Sequence, residues 1–200
     1  MALADLAQAP IALGDSVCIS GVCLTMTHLA AGQASFDVIA ETLRRSTLGA
    51  KQVSDRLNLE LSLKPNSFLG GHFVQGHVDA VGTVVDLRDR PEDWRITFEI
   101  PAEQTLYIAP KGSVAVDGVS MTVAEVTDRT FTLAVIPTTL QRTTLAALRR
   151  GAQVNVETDI LARTVVHYLR QMARIGGGGA GKPLAGPGVS LEKLVAAGLA

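Results

Sequence analysis

The sequence predicts an all-β protein: two tandem six-stranded antiparallel barrels of Greek-key type, the first incomplete, followed by a C-terminal α-helix. The leading observation is an internal repeat. Shifted by 97 positions, Gly14–Glu60 lies over Lys111–Glu157 without a gap. Fifteen of the forty-seven pairs are identical, too many in one ungapped register for shared composition to explain. Ser16-Val17 falls on Ser113-Val114, Gly21-Val22 on Gly118-Val119, Thr42-Leu43-x-Arg45 on Thr139-Leu140-x-Arg142, and Asn58 and Glu60 on Asn155 and Glu157. Two copies of this length make two small domains, since a solenoid needs three or more short units. The second observation is period-two alternation in short segments, and the third is a helical apolar stripe after Asp159.

Taken in order, Val17 and Ile19 alternate with Ser16, Cys18 and Ser20, the pattern of a strand. Gly21 interrupts the alternation before Leu24 and Met26 resume it, which predicts a bulge. Phe36–Ile39 reads as another strand, Glu41–Leu48 as a short helix or helical turn, and Val53–Leu63 as the last strand of copy one. Pro65-Asn66-Ser67 is a linker, so the first barrel is placed at 1–66 and the second at 67–159. The second barrel opens with strands over Phe73–Leu87 and Trp94–Ile100 and then repeats the order of the first. The counterpart of Gly70–Thr97 would lie before Met1. The first barrel is therefore expected to lack two strands, with either the natural start lying further upstream, the favoured reading, or another chain covering the gap. Leu161, Val165, Tyr168, Leu169 and Met172 recur at helical spacing and predict an oligomerisation helix over 160–174. Residues 175–200 read as a flexible Gly-rich tail, with Ser190 capping a short helical piece at Leu191–Leu199. Within it, Gly176-x-x-x-x-Gly181-Lys182 imitates a phosphate loop. Pro183 replaces the required hydroxyl residue and no strand precedes it, so the segment reads as a tether.

Composition narrows the function. An apolar content of 47% over 200 residues suffices to bury a core. A net charge of −1 with mixed signs gives no electrostatic footprint for nucleic acid or an anionic membrane. Cys18 and Cys23 make no disulfide framework, the N-terminus lacks a signal-peptide pattern, and no apolar run is long enough to span a bilayer. The expectation is a soluble, cytoplasmic protein.

The chemistry lies where the copies differ within a shared frame. Gly-Val-Cys23-Leu-Thr25 becomes Gly-Val-Ser120-Met-Thr122, with Cys23 and Thr25 on one strand face and Leu24 and Met26 on the other. Ser20 corresponds to Asp117, Gly14 to Lys111 and Glu41 to Thr138. Two related sites with different polar equipment fit two molecules of one ligand in different roles; the plain alternative is that Cys23 and Ser120 are small strand residues in tight packing. The segment Gly70-Gly-His72-Phe-Val-Gln-Gly76-His77-Val-Asp79 is dense in glycine and histidine. Its two histidines face opposite sides of an extended chain and no further ligand completes a set, so no metal is predicted. A single histidine at a pocket edge can move a proton near neutral pH. Asp159 either caps the terminal helix or contacts ligand.

At these residues the sequence resembles the riboflavin synthase family. The resemblance rests on Gly14-Asp-Ser-Val, Gly21-Val-Cys-Leu-Thr25, Glu41-Thr-Leu-Arg-Arg-Ser-Thr-Leu48, Gly70–Asp79, Gly118-Val-Ser-Met-Thr122, Ile136-Pro-x-Thr-Leu-x-Arg-Thr-Thr-Leu145 and Asn155-x-Glu-x-Asp159, in family order from about residue 10 to 172. It implies that two molecules of 6,7-dimethyl-8-ribityllumazine exchange a four-carbon unit, giving riboflavin and 5-amino-6-ribitylaminouracil, with no metal or redox cofactor. It implies a homotrimer with the site between the first barrel of one subunit and the second of another, and lumazine synthase as a candidate partner. By position, Ser16, Cys23, Thr25, Glu41 and Thr42 line the first-barrel site, with backbone groups flanking Ile39. Lys111, Ser120, Thr122, Ile136, Thr139 and Asp159 line the second, with Gly76 and His77 at its edge. Cys23, His77 and Ser120 are the expected catalytic residues, with His72 and Asp117 supporting them. The family opening Met-Phe-Thr-Gly-Ile is absent here, and Thr138 stands where the family often has an acid. The alternative is a non-catalytic lumazine- or flavin-binding protein of the same fold. Such a protein is expected to let one copy decay, whereas both copies here keep the Gly-Val-[Cys/Ser]-x-Thr and Thr-Leu-x-Arg frames.

Overall fold

A computed structural model describes residues 11–30, 32–64, 66–90 and 93–176. Copy one is built from β1 (Ser16–Ile19), β2 (Val22–Ala30), β3 (Gln33–Phe36), α1 (Ala40–Arg45), a 3-10 turn at Thr47–Ala50, and β4 (Leu59–Leu61). These strands form one antiparallel sheet in the order β3-β2-β1-β4. Copy two contains β5 (Ala80–Arg90), β6 (Asp93–Glu99), α2 (Ala102–Thr105), β7 (Ser113–Val116), β8 (Val119–Val126), β9 (Thr130–Ala134), α3 (Pro137–Arg142), a 3-10 turn at Thr144–Ala147, and β10 (Gln153–Thr158). Its strands close into a six-stranded barrel, β10-β5-β6-β9-β8-β7. The run β9-β8-β7-β10 thus repeats β3-β2-β1-β4, and β5 and β6 are the pair that closes the barrel.

The alternation read from the sequence decides which side chains fill each interior. In copy two Val84, Ile96, Val114, Val123, Leu133 and Val154 are fully buried around the stacked Phe98–Phe131 pair, whose ring centroids lie 5.2 Å apart. Copy one has a smaller core of Val17, Ile19, Val22 and Leu24. The terminal helix, α4 (Ile160–Gly176), starts at Asp159, whose Oδ1 accepts the Leu161 N–H at 2.9 Å. Arg163 pairs with Asp79 at 2.7 Å. Leu161, Val165, Tyr168, Leu169 and Met172 of α4 are exposed.

The incompleteness expected of copy one is seen: among the described residues it is a four-stranded sheet, two strands short of the barrel of copy two. Several expectations are corrected. Gly21 marks no bulge: Ser20 (φ 44°) and Gly21 (φ 82°) form a two-residue hairpin turn, because successive positive φ values match the twist of the flanking strands. The strand expected over Val53–Leu63 shrinks to Leu59–Leu61, since Ser54 (φ 80°) sits in a turn closed by Gln52 and Asp55. The strand expected from Phe36 ends there. The one expected from Phe73 begins only at Ala80, because the N–H groups of Gln75, Gly76 and His77 are taken by the Glu157 side chain rather than a neighbouring strand. The tail features from Gly177 onward, including Lys182 and the piece at Leu191–Leu199, lie outside the described residues.

The two copies meet back to back through groups that are equivalent in the repeat. Asn155 is buried; its Oδ1 accepts the Thr47 N–H and its Nδ2 donates to the Ser20 carbonyl, both at 2.7 Å. Asn58 does the reverse, accepting the Thr144 N–H at 2.8 Å and donating to the Asp117 carbonyl at 2.9 Å. Between them the turn glycines touch: a Cβ on Gly21 would lie 2.8 Å from Gly118 N, and one on Gly118 would lie 2.9 Å from Gly21 N. Only residues without a side chain permit that approach. Asp117 completes the joint, its Oδ1 accepting the Asn155 N–H at 2.8 Å. Burial pushes its carboxyl from 3.8 up to about 6, against the opposing pull of that N–H and of Lys51.

Asn155→Ala strands the Thr47 N–H and the Ser20 carbonyl, and is expected to lower stability in urea denaturation by about 2–4 kcal/mol; a loss below half the smaller figure rejects the joint as a major support. Asp117 gives a second test. Its folded-state value is raised, so its contribution is complete below the ordinary 3.8 and is lost as pH rises through about 6. Asp117→Asn is therefore expected to flatten the fall in stability across that window relative to the parent chain, and parallel curves would refute the assignment.

Candidate functional site

The segment from Gly70 to Asp79 leaves the sheet pattern and crosses both copies. It is held by Glu157, a buried carboxylate at the end of β10 that accepts the N–H groups of Gln75 (2.7 Å), Gly76 (2.9 Å) and His77 (3.1 Å). Burial pushes the Glu157 carboxyl up, and the three N–H bonds pull it back. So anchored, Gly76 lies directly on β2: its carbonyl accepts the Cys23 N–H at 2.9 Å, its φ is +78°, and a Cβ there would come within 2.6 Å of the Cys23 Cβ. Any side chain at 76 would push the segment off the thiol strand.

This crossing assigns one histidine to each copy. His72 Nδ1 lies 2.8 Å from Ser120 Oγ. Its Nε2 is buried and has no hydrogen-bond partner among the described residues. Burial lowers the His72 value from 6.5, with Asp159 opposing, a shift that favours the neutral ring beside the Ser120 hydroxyl. His77 instead shares a cleft of about 170 Å³ with Cys23, Glu41 and Thr42. That corrects the expectation of His77 at the second-barrel edge: five residues along an extended chain carry it from β8 of copy two to β2 of copy one. A larger cavity of about 440 Å³ lies where the copies meet, and Cys18, Cys23, His72, Asp117 and Ser120 all reach it. Cys23 lines both cavities.

The remaining expected residues are dispersed. Ser16 and Thr25 are cross-strand partners, as are Ser113 and Thr122 in copy two. Thr25, Thr122, Lys111, Ile39 and Ile136 are exposed, the two isoleucines at the N-termini of α1 and α3. Thr139 lies in α3, where its carbonyl accepts the Thr143 hydroxyl. Asp159 is engaged as the cap of α4. Glu41 is paired on the surface with Arg44 and Arg45, which hold its carboxyl below its usual range. Asp117 reaches the cavity from the joint between the copies. Three residues escaped the sequence reading as site residues. Arg45 and Arg142, equivalent in the repeat, line the Cys23 and Ser120 cavities respectively, and Glu157 anchors the crossing segment. The signal was present, since all three are identical between the copies. Among the described residues no group of three or more His, Cys, Asp or Glu side chains is arranged to hold a metal ion. Nor is any described helix long and apolar enough to cross a membrane.

Comparison with known proteins joins these features. The lumazine binding domain family matches twice, over residues 2–62 and 75–159. Riboflavin synthase of Mycobacterium tuberculosis (strain H37Rv) is 45% identical over 163 residues, covering 78% of this chain and 80% of that protein. The Chlamydia pneumoniae riboflavin synthase is 40% identical, covering 82% and 80%. That of Escherichia coli K12 is 39% identical, covering 80% and 75%. Among solved structures, LumP complexed with riboflavin superposes with a TM-score of 0.70 at 25% identity, covering 78% of this chain and 83% of that one. LumP with 6,7-dimethyl-8-(1'-D-ribityl) lumazine gives 0.69 at 23%, a likeness of fold. Matched along both copies by the domain family and by several relatives of which it covers three quarters or more, the chain belongs to the riboflavin synthase family.

Proposed function

We propose that the chain catalyses the riboflavin synthase reaction, in which one 6,7-dimethyl-8-ribityllumazine gives a four-carbon unit to another, forming riboflavin and 5-amino-6-ribitylaminouracil. The observation that carries this reading is identity of up to 45% to riboflavin synthases over both copies together. The geometry supports it: each copy offers a polar residue on β2 or β8, an arginine from the following helix, and a histidine from one shared segment.

The donor must lose a proton from its C7 methyl, and the delocalised anion then attacks the second ring. Much of the rate comes from holding two heterocycles in register, the rest from proton transfers by ordinary side chains. In our reading Cys23 and His77 serve the ligand on copy one, while Ser120 and the neutral His72 serve the ligand on copy two. Ser16, Thr25, Glu41, Thr42, Lys111, Thr122, Thr139 and Asp159 flank these ligands, with backbone near Ile39 and Ile136 at the ring edges. Asp117 and Gly76 support them from the joint and the crossing segment. The exposed stripe of α4 fits a packing face between copies of the chain, and the working form we propose is a cytoplasmic homotrimer.

The test is conversion of 6,7-dimethyl-8-ribityllumazine followed as riboflavin fluorescence. Cys23→Ala and Ser120→Ala are each expected to cut turnover by about 10²-fold or more while lumazine still binds; unchanged turnover removes them from the chemistry. Binding without turnover in the parent chain would move the reading to a lumazine-binding protein. Glu157→Gln replaces a two-oxygen acceptor by a group with one, and the freed segment is expected to weaken lumazine binding and turnover together, at a stability cost of about 1–3 kcal/mol. Full activity in that variant would show that the carboxylate does not position the segment.

A further inference from the structure

Cys18 and Cys23 stand directly opposite each other on β1 and β2. The hairpin joining them has a two-residue turn, so Ile19 and Val22 form the hydrogen-bonded pair next to it and Cys18–Cys23 is the following, non-hydrogen-bonded pair. The Cys23 N–H confirms this parity: it points away from β1, to the Gly76 carbonyl. In such pairs the Cα atoms are roughly 4.5 Å apart and the side chains lean together. That falls within the roughly 4.4–6.8 Å that a disulfide spans. Both thiols lie on the face opposite the core residues Val17 and Leu24, both open onto the cavity where the copies meet, and both are free. Copy two has Ala115 opposite Ser120, so the pairing belongs to copy one alone.

We infer that Cys18 and Cys23 form a reversible cross-strand disulfide under oxidation by a hydroperoxide, taking the Cys23 thiol out of the candidate site. Peroxide oxidises one thiol to a sulfenic acid with release of water. The other sulfur attacks it, the S–S bond forms, and a second water leaves with the thiol proton. Cys23 is the natural first target. Burial drives the Cys18 thiol up to about 12, which makes Cys18 the poorer first nucleophile; in the second step its proton must leave with the departing oxygen as the sulfur attacks. A χ1 rotation carries Cys18 Sγ away from Gly118, against which it now rests, toward Cys23. Only four residues separate the two cysteines, so the bond adds little loop-closure stability and a dithiol readily reopens it.

Formation of the bond does not depend on the proposed reaction; its effect on turnover does. The test is mass spectrometry of the full chain after hydrogen peroxide, with alkylation of remaining thiols. No Lys or Arg stands between the two cysteines, so a tryptic peptide ending at Arg44 carries both. That peptide is expected to lose two hydrogens and resist alkylation, and dithiothreitol is expected to restore both thiols. Cys18→Ala, which copies the residue the sister hairpin folds with, is expected to abolish that loss and accumulate oxygen on Cys23. Oxygen addition in the parent chain without loss of hydrogen, or linkage only between chains, overturns the inference whether or not the protein turns over lumazine. Where turnover is measurable, dithiothreitol should recover it after peroxide in the parent chain and not in Cys18→Ala at the same dose; equal recovery would remove the protective role.

Discussion

The structure depends on one reciprocal joint. Asn58 and Asn155 are the same residue of the repeat, and each spends its side-chain amide on the backbone of the other copy. An amide suits this position because it donates and accepts at once, satisfying one orphan N–H and one orphan carbonyl of the other copy. The glycine contact at Gly21 and Gly118 sets the separation at which those bonds can form. Hydrophobic burial holds each copy together, but the joint fixes how β2 of one copy faces β8 of the other.

That fixed relation lets a single segment serve two sites. Residues 70–79 can touch Ser120 at one end and Cys23 at the other only because the two hairpin turns sit against each other. Glu157 pins the segment halfway, using three backbone N–H groups that a strand would otherwise have consumed. Its equivalent, Glu60, lies at the edge of the cavity between the copies. The duplication therefore supplied two scaffolds, and divergence at a few polar positions, such as Cys23 against Ser120, made them unlike.

The same duplication separates what is structural from what is chemical. Residues identical in both copies mostly hold the frame: Asn58 and Asn155, Gly21 and Gly118, and Thr47 and Thr144, whose backbone N–H groups meet the asparagines. Asp117 shows the limit of that rule. It differs from Ser20, which marked it as chemical in the sequence, yet its carboxylate is spent within the joint, repeating what the Ser20 hydroxyl does for Asn58 N at 3.2 Å. Glu157 shows the converse, an identical position whose work is to place the site.

What the sequence by itself determined was the local and periodic part: the repeat, the strand faces of Val17–Ile19 and Leu24–Met26, the short helices after Ile39 and Ile136, and the terminal helix after Asp159. These follow from alternation and helical spacing, which act over a few residues. The Ser20–Gly21 turn was misread as a bulge because a glycine in an alternating run marks either, and only pairing partners distinguish them. Tertiary structure alone decided which histidine meets which copy, why residues 73–79 are not a strand, and that Cys18 faces Cys23. Each of these turns on a contact between groups distant in sequence or on strand register, such as Glu157 on Gly76 or Asn155 on Ser20. Such contacts leave no period in the chain, because their cause is the position of one whole copy against the other.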